Sequence, residues 1–98
     1  MVTINIRDVA GFGDTADQGR IAYDFISRAL DSDGSVIISF EGVPTVTSSF
    51  VNVAFVDLLR RHSFATIKDR VRVISASRQI AEMIRTRLTK AASVQHAA

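Results

Sequence analysis

The chain predicts an α/β domain: a small, largely parallel or mixed sheet packed with about three α-helices. Three observations carry that expectation. Apolar runs of strand period alternate with apolar runs at helical spacing. The connections between them are short, and glycine, proline or a capping residue stands at most boundaries. The resulting order, β-α-β-α-β-α, favours parallel strands joined by crossover helices.

The elements follow in order. Val2, Ile4 and Ile6 alternate with polar residues, as in a half-exposed strand. Residues 9–12 are a candidate for a short additional strand. Gly11-Phe12-Gly13-Asp14 then leads to Thr15, with Gln18 three residues on, which is the spacing of a capping box. Ile21, Ala22, Phe25, Ile26, Ala29 and Leu30 recur at helical spacing, so a first helix runs to about Asp31 before Asp33-Gly34 turns the chain. Residues 36–40 are nearly continuously apolar, the pattern of a strand covered on both faces. After Pro44 a second helix is expected over 48–62, apolar on almost every side and therefore buried or at an interface. A third strand over 71–75 precedes Ser77, the expected cap of a third helix with the stripe Ile80, Met83, Ile84 and Leu88. The domain is expected over 2–90, with 91–98 a frayed tail.

Bulk properties narrow the function. Ninety-eight residues, 47% of them apolar, make one domain burying roughly 60–70% of the unfolded chain's surface. The absence of cysteine excludes disulfides, thiolate catalysis and cysteine-ligated metals. No segment approaches the ~20 apolar residues of a membrane helix, and the N-terminus lacks the apolar run of a signal peptide. A cytoplasmic protein is expected. The net charge of +2 conceals an asymmetry: residues 1–57 hold three basic and eight acidic side chains, and residues 58–98 hold nine and two. The basic residues are scattered and no aromatic rings stand among them, so folding is expected to mix the two halves on the surface.

Catalytic chemistry finds little support. Gly11-x-Gly13 lacks the third glycine and the Gly-Lys-Ser/Thr of phosphate loops, and Asp14 and Asp17 would repel phosphate. Asp31-Ser32-Asp33-Gly34 lacks the later ligands of a calcium loop. His62 stands alone near a helix end, and His96 lies in the tail. The expectation is a protein with no catalytic residues, no cofactor and no metal.

The informative segment is Thr47-Ser48-Ser49-Phe50, where the second helix begins. Any of its hydroxyls can cap the first turn, at about 1 kcal/mol. A phosphate placed there would also meet free N–H groups and the positive helix end. Together with the strand 36–40, Glu41-Gly42-Val43 and Val46, this segment resembles the STAS domain of bacterial anti-sigma factor antagonists. More specifically, it resembles the STAS-like family of uncharacterised prokaryotic domains in which Ser-Ser-Phe opens this helix. The likeness in element order spans roughly 2–90, and the motif itself about 36–59. In antagonist STAS domains this turn reads Asp-Ser-Ser-Gly, and a kinase of the histidine-kinase-like ATPase fold phosphorylates the second serine. The resemblance therefore implies Ser49 as the phosphorylation candidate, with Ser48 beside it. Thr47 stands in place of the aspartate and Phe50 in place of the glycine.

What the resemblance implies is a non-enzymatic regulatory module that docks a histidine-kinase-like ATPase or anti-sigma-like protein through Thr47, Ser48, Ser49 and Phe50. An alternative is a structural or assembly domain forming homo-oligomers, with the hydroxyls acting only as caps. Nucleic-acid binding by Arg78, Arg85, Arg87 and Lys90 is a third reading, weakened by the lack of any recognition motif beyond charge on that helix.

Overall fold

The computed structural model describes residues 2–97, with side chains through Ser93. Strand β1 (Val2–Asn5) runs directly into a short helix α1 (Ile6–Ala10). Helix α2 (Ala16–Asp33), strand β2 (Val36–Ser39) and helix α3 (Ser48–Ala54) follow, and a 3-10 helix (Val56–Arg60) continues from α3. Helix α4 (Phe64–Arg70), strand β3 (Val71–Ile74) and helix α5 (Arg78–Ala97) complete the chain.

The expected α/β class and alternation hold. The three strands lie in the order β1-β2-β3, all parallel, with Val2, Val36 and Val71 in one row and Ile4, Ile38 and Val73 in another. Strands placed in sequence order and joined by right-handed crossovers carry both connections to the same face of the sheet. The burial agrees. Ile4, Val36, Ile38 and Phe40 are buried on that face, while Thr3, Asn5 and Arg72 on the other are exposed and Ile74 is 41% exposed. This corrects the expectation that residues 36–40 are covered on both faces. Ile37 and Ser39 are shielded because β2 is the central strand, with neighbours on both edges.

The core fills the space between the covered face and the helices. Helix α3 lies between α2 and α5. Phe40, at the end of β2, stacks on Phe55 at 6.2 Å between ring centroids. Ile80, Ile84 and Leu88 of the expected α5 stripe are buried, and Met83 is half-buried.

Three further differences concern α1, the second helix and α4. Residues 6–10 form helix α1 where a short strand over 9–12 was a candidate; Ile6 and Ala10, one turn apart, are its buried residues. The expected second helix over 48–62 stops at Ala54 and tightens to 3-10 spacing. Phe55, Leu58 and Leu59, at the break and in the tightened segment, are buried in the core, and such 3-10 turns are frequent at the C-terminal ends of α-helices. Helix α4 was not anticipated. Ser63 caps it by accepting the Thr66 N–H at 3.1 Å, but only one of its side chains, Ile67, is buried. Helix α5 runs to Ala97 with Ala92 buried; the side chains of most of the expected frayed tail, His96 included, lie outside the described residues.

Candidate functional site

The site is the first turn of α3 and the loop that delivers the chain to it. At the end of β2, the Phe40 N–H donates to the Ile74 carbonyl, and the Val43 N–H donates back to the Phe40 carbonyl at 2.9 Å. Val43 and Val46 are buried and anchor the loop between them. Two α5-side residues then hold it. The Ser77 hydroxyl donates to the Pro44 carbonyl at 2.9 Å while accepting the Ile80 N–H as the expected cap. Gln79 clasps Val46 at both main-chain groups: its Oε1 accepts the Val46 N–H at 3.2 Å and its Nε2 donates to the Val46 carbonyl at 3.1 Å.

From the opposite side, the glycine-containing loop before α2 meets Thr47. The Thr47 N–H donates to the Gly13 carbonyl at 3.1 Å, and its hydroxyl donates to the Asp14 carbonyl at 3.0 Å. The same hydroxyl accepts the Phe50 N–H at 3.2 Å, which makes Thr47 the cap of α3. Gly13 has φ +73°, and a Cβ there would fall 2.8 Å from Cγ1 of Val46. The Gly-x-Gly loop therefore needs small residues for packing and for its left-handed turn.

The expected capping box is present. The Thr15 hydroxyl accepts the Gln18 N–H, and Gln18 Oε1 accepts the N–H groups of Thr15 and Asp14. The starts of α2 and α3 are thus joined through Asp14, whose carbonyl accepts the Thr47 hydroxyl and whose N–H donates to Gln18 Oε1.

With Thr47 capping, the two serines have different surroundings. Ser48 is half-buried and Ser49 exposed, and among the described residues neither side chain makes a hydrogen bond. Phe50, grouped with them as a partner contact, is fully buried. Its ring contributes to the core beneath the turn, so it corrects that assignment and leaves Thr47, Ser48 and Ser49 as the accessible members. Sequence reasoning missed Asp14, Gly13 and Gln79. Gly-x-Gly was visible as a turn, but the contact of Gln79 with Val46 spans 33 residues and leaves no local signal.

The other flagged residues take structural places. His62 packs with its Nε2 3.9 Å from Asp31, whose carboxylate pairs with Arg61 at 3.1 Å. Asp33 and Gly34 end α2, with Gly34 in the left-handed conformation of a helix cap. On α5, Arg78 pairs with Glu82 at 3.4 Å, and Arg85, Arg87 and Lys90 are exposed at helical angles that spread them around the helix. Among the described residues there is no cluster of three histidine, aspartate or glutamate side chains that could hold a metal ion. No helix among them is long and apolar enough to cross a membrane.

No curated protein and no solved structure matches the chain. Residues 18–81, from the capping box of α2 to the first turn of α5, match a family described as a STAS-like domain of unknown function, DUF4325. On that match, which takes in β2, the clamped loop, α3 and β3, the chain belongs to the STAS-like DUF4325 family.

Proposed function

We propose that this domain is a non-enzymatic regulatory module that docks a protein partner at the first turn of α3 and is switched by phosphorylation of Ser49. The observation that carries this reading is the division of labour among the hydroxyls. Thr47 caps the helix, which leaves Ser49 exposed on a turn held from two sides. In the STAS antagonists that the sequence resembles, the serine at this position is the modified one. The partner is a histidine-kinase-like ATPase or an anti-sigma-like protein. Transfer moves the γ-phosphoryl group of the partner's ATP to the Ser49 Oγ; the hydroxyl proton is lost and ADP leaves. Nearly two negative charges then stand on the docking surface.

The two departures from the antagonist motif are compatible with this reading. Phe50 turns into the core and does not crowd the surface. Asp14, whose main-chain carbonyl accepts the Thr47 hydroxyl, is an exposed acidic residue in the loop next to the turn where the motif's aspartate is missing.

The test is a titration of the purified domain against the ATPase encoded nearest to it, with wild type, Ser49→Ala and Ser49→Asp. Ser49→Ala should bind as wild type does and resist phosphorylation, and Ser49→Asp should bind at least about tenfold more weakly. Equal binding by all three would sink the switch. An assembly role is favoured by one feature, the pair Ile21 and Phe25. They lie one turn apart on α2 and are 44% and 43% exposed. Light scattering across a concentration series would detect it.

A further inference from the structure

The outer edge of β3 and the α5 surface beside it form a groove, apart from the Ser49 turn. Among the described residues, β3 pairs only with β2. The Ile74 carbonyl is taken by Phe40 on the β2 side. Because neighbouring residues of a strand turn their main-chain groups to opposite sides, Val73 directs its N–H and C=O away from the sheet. The Val71 N–H is already satisfied by the Ile67 carbonyl of α4. Val73 therefore presents one open donor and one open acceptor, with a groove of about 380 Å³ next to them.

The walls of that groove are chemically distinct. Val71 and Val73 on the strand face Ala81 and Ile84 on α5, and Lys68 and Arg85 stand at its rim. Both cations are exposed, and among the described residues neither has an ion-pair partner. Asp69, next to Lys68, does not line the groove.

We infer that this groove docks an extended acidic segment of a partner protein, which adds to β3 as a fourth strand. Main-chain hydrogen bonds to Val73 would hold the segment, as in other strand-addition complexes. Alternate side chains would point to the floor, where Val71, Val73, Ala81 and Ile84 take apolar residues. Carboxylates at the rim would meet Lys68 and Arg85, which gives the charge preference. A second copy is the poorer occupant. The β3 edge of another copy carries the same two cations and no carboxylate among the residues lining its groove, so it offers nothing acidic to Lys68 and Arg85. The plainest competing role for the two cations is to guard a free edge against aggregation; a guarded edge would take no added strand.

The probe is a fluorescein-labelled octapeptide of alternating valine and glutamate, with an alternating valine–lysine peptide as its charge-swapped counterpart. Anisotropy gives affinity and amide chemical shifts give the site. The glutamate peptide should perturb the amides of Val71, Val73 and Ile84 and bind at least about tenfold more tightly than the lysine peptide. Reversing both rim charges (Lys68→Glu with Arg85→Glu) should invert that preference. N-methylation of alternate peptide amides should abolish binding in one register and spare it in the other. This last measurement uses the wild-type domain, so it stands even if the double variant folds poorly. The inference is overturned by shifts centred elsewhere, by equal affinity for the two peptides, by indifference to N-methylation, or by β3 signals that change with protein concentration alone.

Discussion

Three adjacent hydroxyls look alike in a sequence, yet in the fold they have separate tasks, and the backbone decides which. Thr47 is extended, at φ −91° and ψ 160°, while Ser48 and Ser49 are already helical. Only an extended residue places its side chain over the open N–H groups of the first turn, so Thr47 alone can cap. Thr47→Ala should cost about 1–2 kcal/mol, because the bond to Asp14 is lost with the cap. Ser48→Ala and Ser49→Ala should each stay within about 0.5 kcal/mol. Thermal melts of the three variants check the ranking; a Ser48→Ala loss as large as that of Thr47→Ala would mean that the cap is misassigned. A second residue-scale effect lies in α2. A Cβ on Gly19 would stand 2.8 Å from the Phe50 carbonyl oxygen and 3.1 Å from Cβ of Val53. Alanine gains up to about 1 kcal/mol of helix propensity, but the obstacle is backbone and cannot swing aside. Gly19→Ala should therefore destabilise by about 1–2 kcal/mol in denaturant melts, the reverse of the effect at an open helical position.

Among the elements, what could be read from the sequence was whatever is encoded within one turn or one strand. Thr15 and Gln18 form their capping box because both partners are three residues apart. Ser77 caps α5 for the same local reason. The break after Ala54 had no such signature, because no glycine or proline stands between residues 48 and 62 to mark it. The motif segment was legible as a turn rich in hydroxyls, but its supports, Gly13, Asp14 and Gln79, arrive from distant parts of the chain. Phe55 tests the element that was misjudged. It is fully buried against Phe40 at the junction of α3 and the 3-10 helix. Phe55→Ala should cost about 3–5 kcal/mol by denaturant melt. A loss below about 1 kcal/mol would place the ring at an interface.

At the scale of the whole molecule, the arrangement follows from strand order. A sheet built 1-2-3 with parallel strands sends its helices to one side, and this one keeps its other side open. All-parallel sheets are usually covered on both faces, which is why the near-continuous apolar run of β2 read as a doubly buried strand. The difference is carried by the outer strands: on the open face β1 offers Thr3 and Asn5, and β3 offers Arg72. Ile38 and Ile74 separate the two faces experimentally, since they are the same residue type in neighbouring strands. Ile38 is fully buried under the helices, and Ile74 is 41% exposed on the opposite face. Ile38→Ala should cost about 2–5 kcal/mol, from lost transfer energy and the cavity left behind. Ile74→Ala leaves no enclosed cavity, because water can reach the site, so its cost should stay below about 1 kcal/mol. Urea melts of the two variants give the comparison directly. Comparable losses would mean that something covers the second face in solution, and a dependence of the Ile74→Ala loss on protein concentration would identify the cover as another copy of the chain.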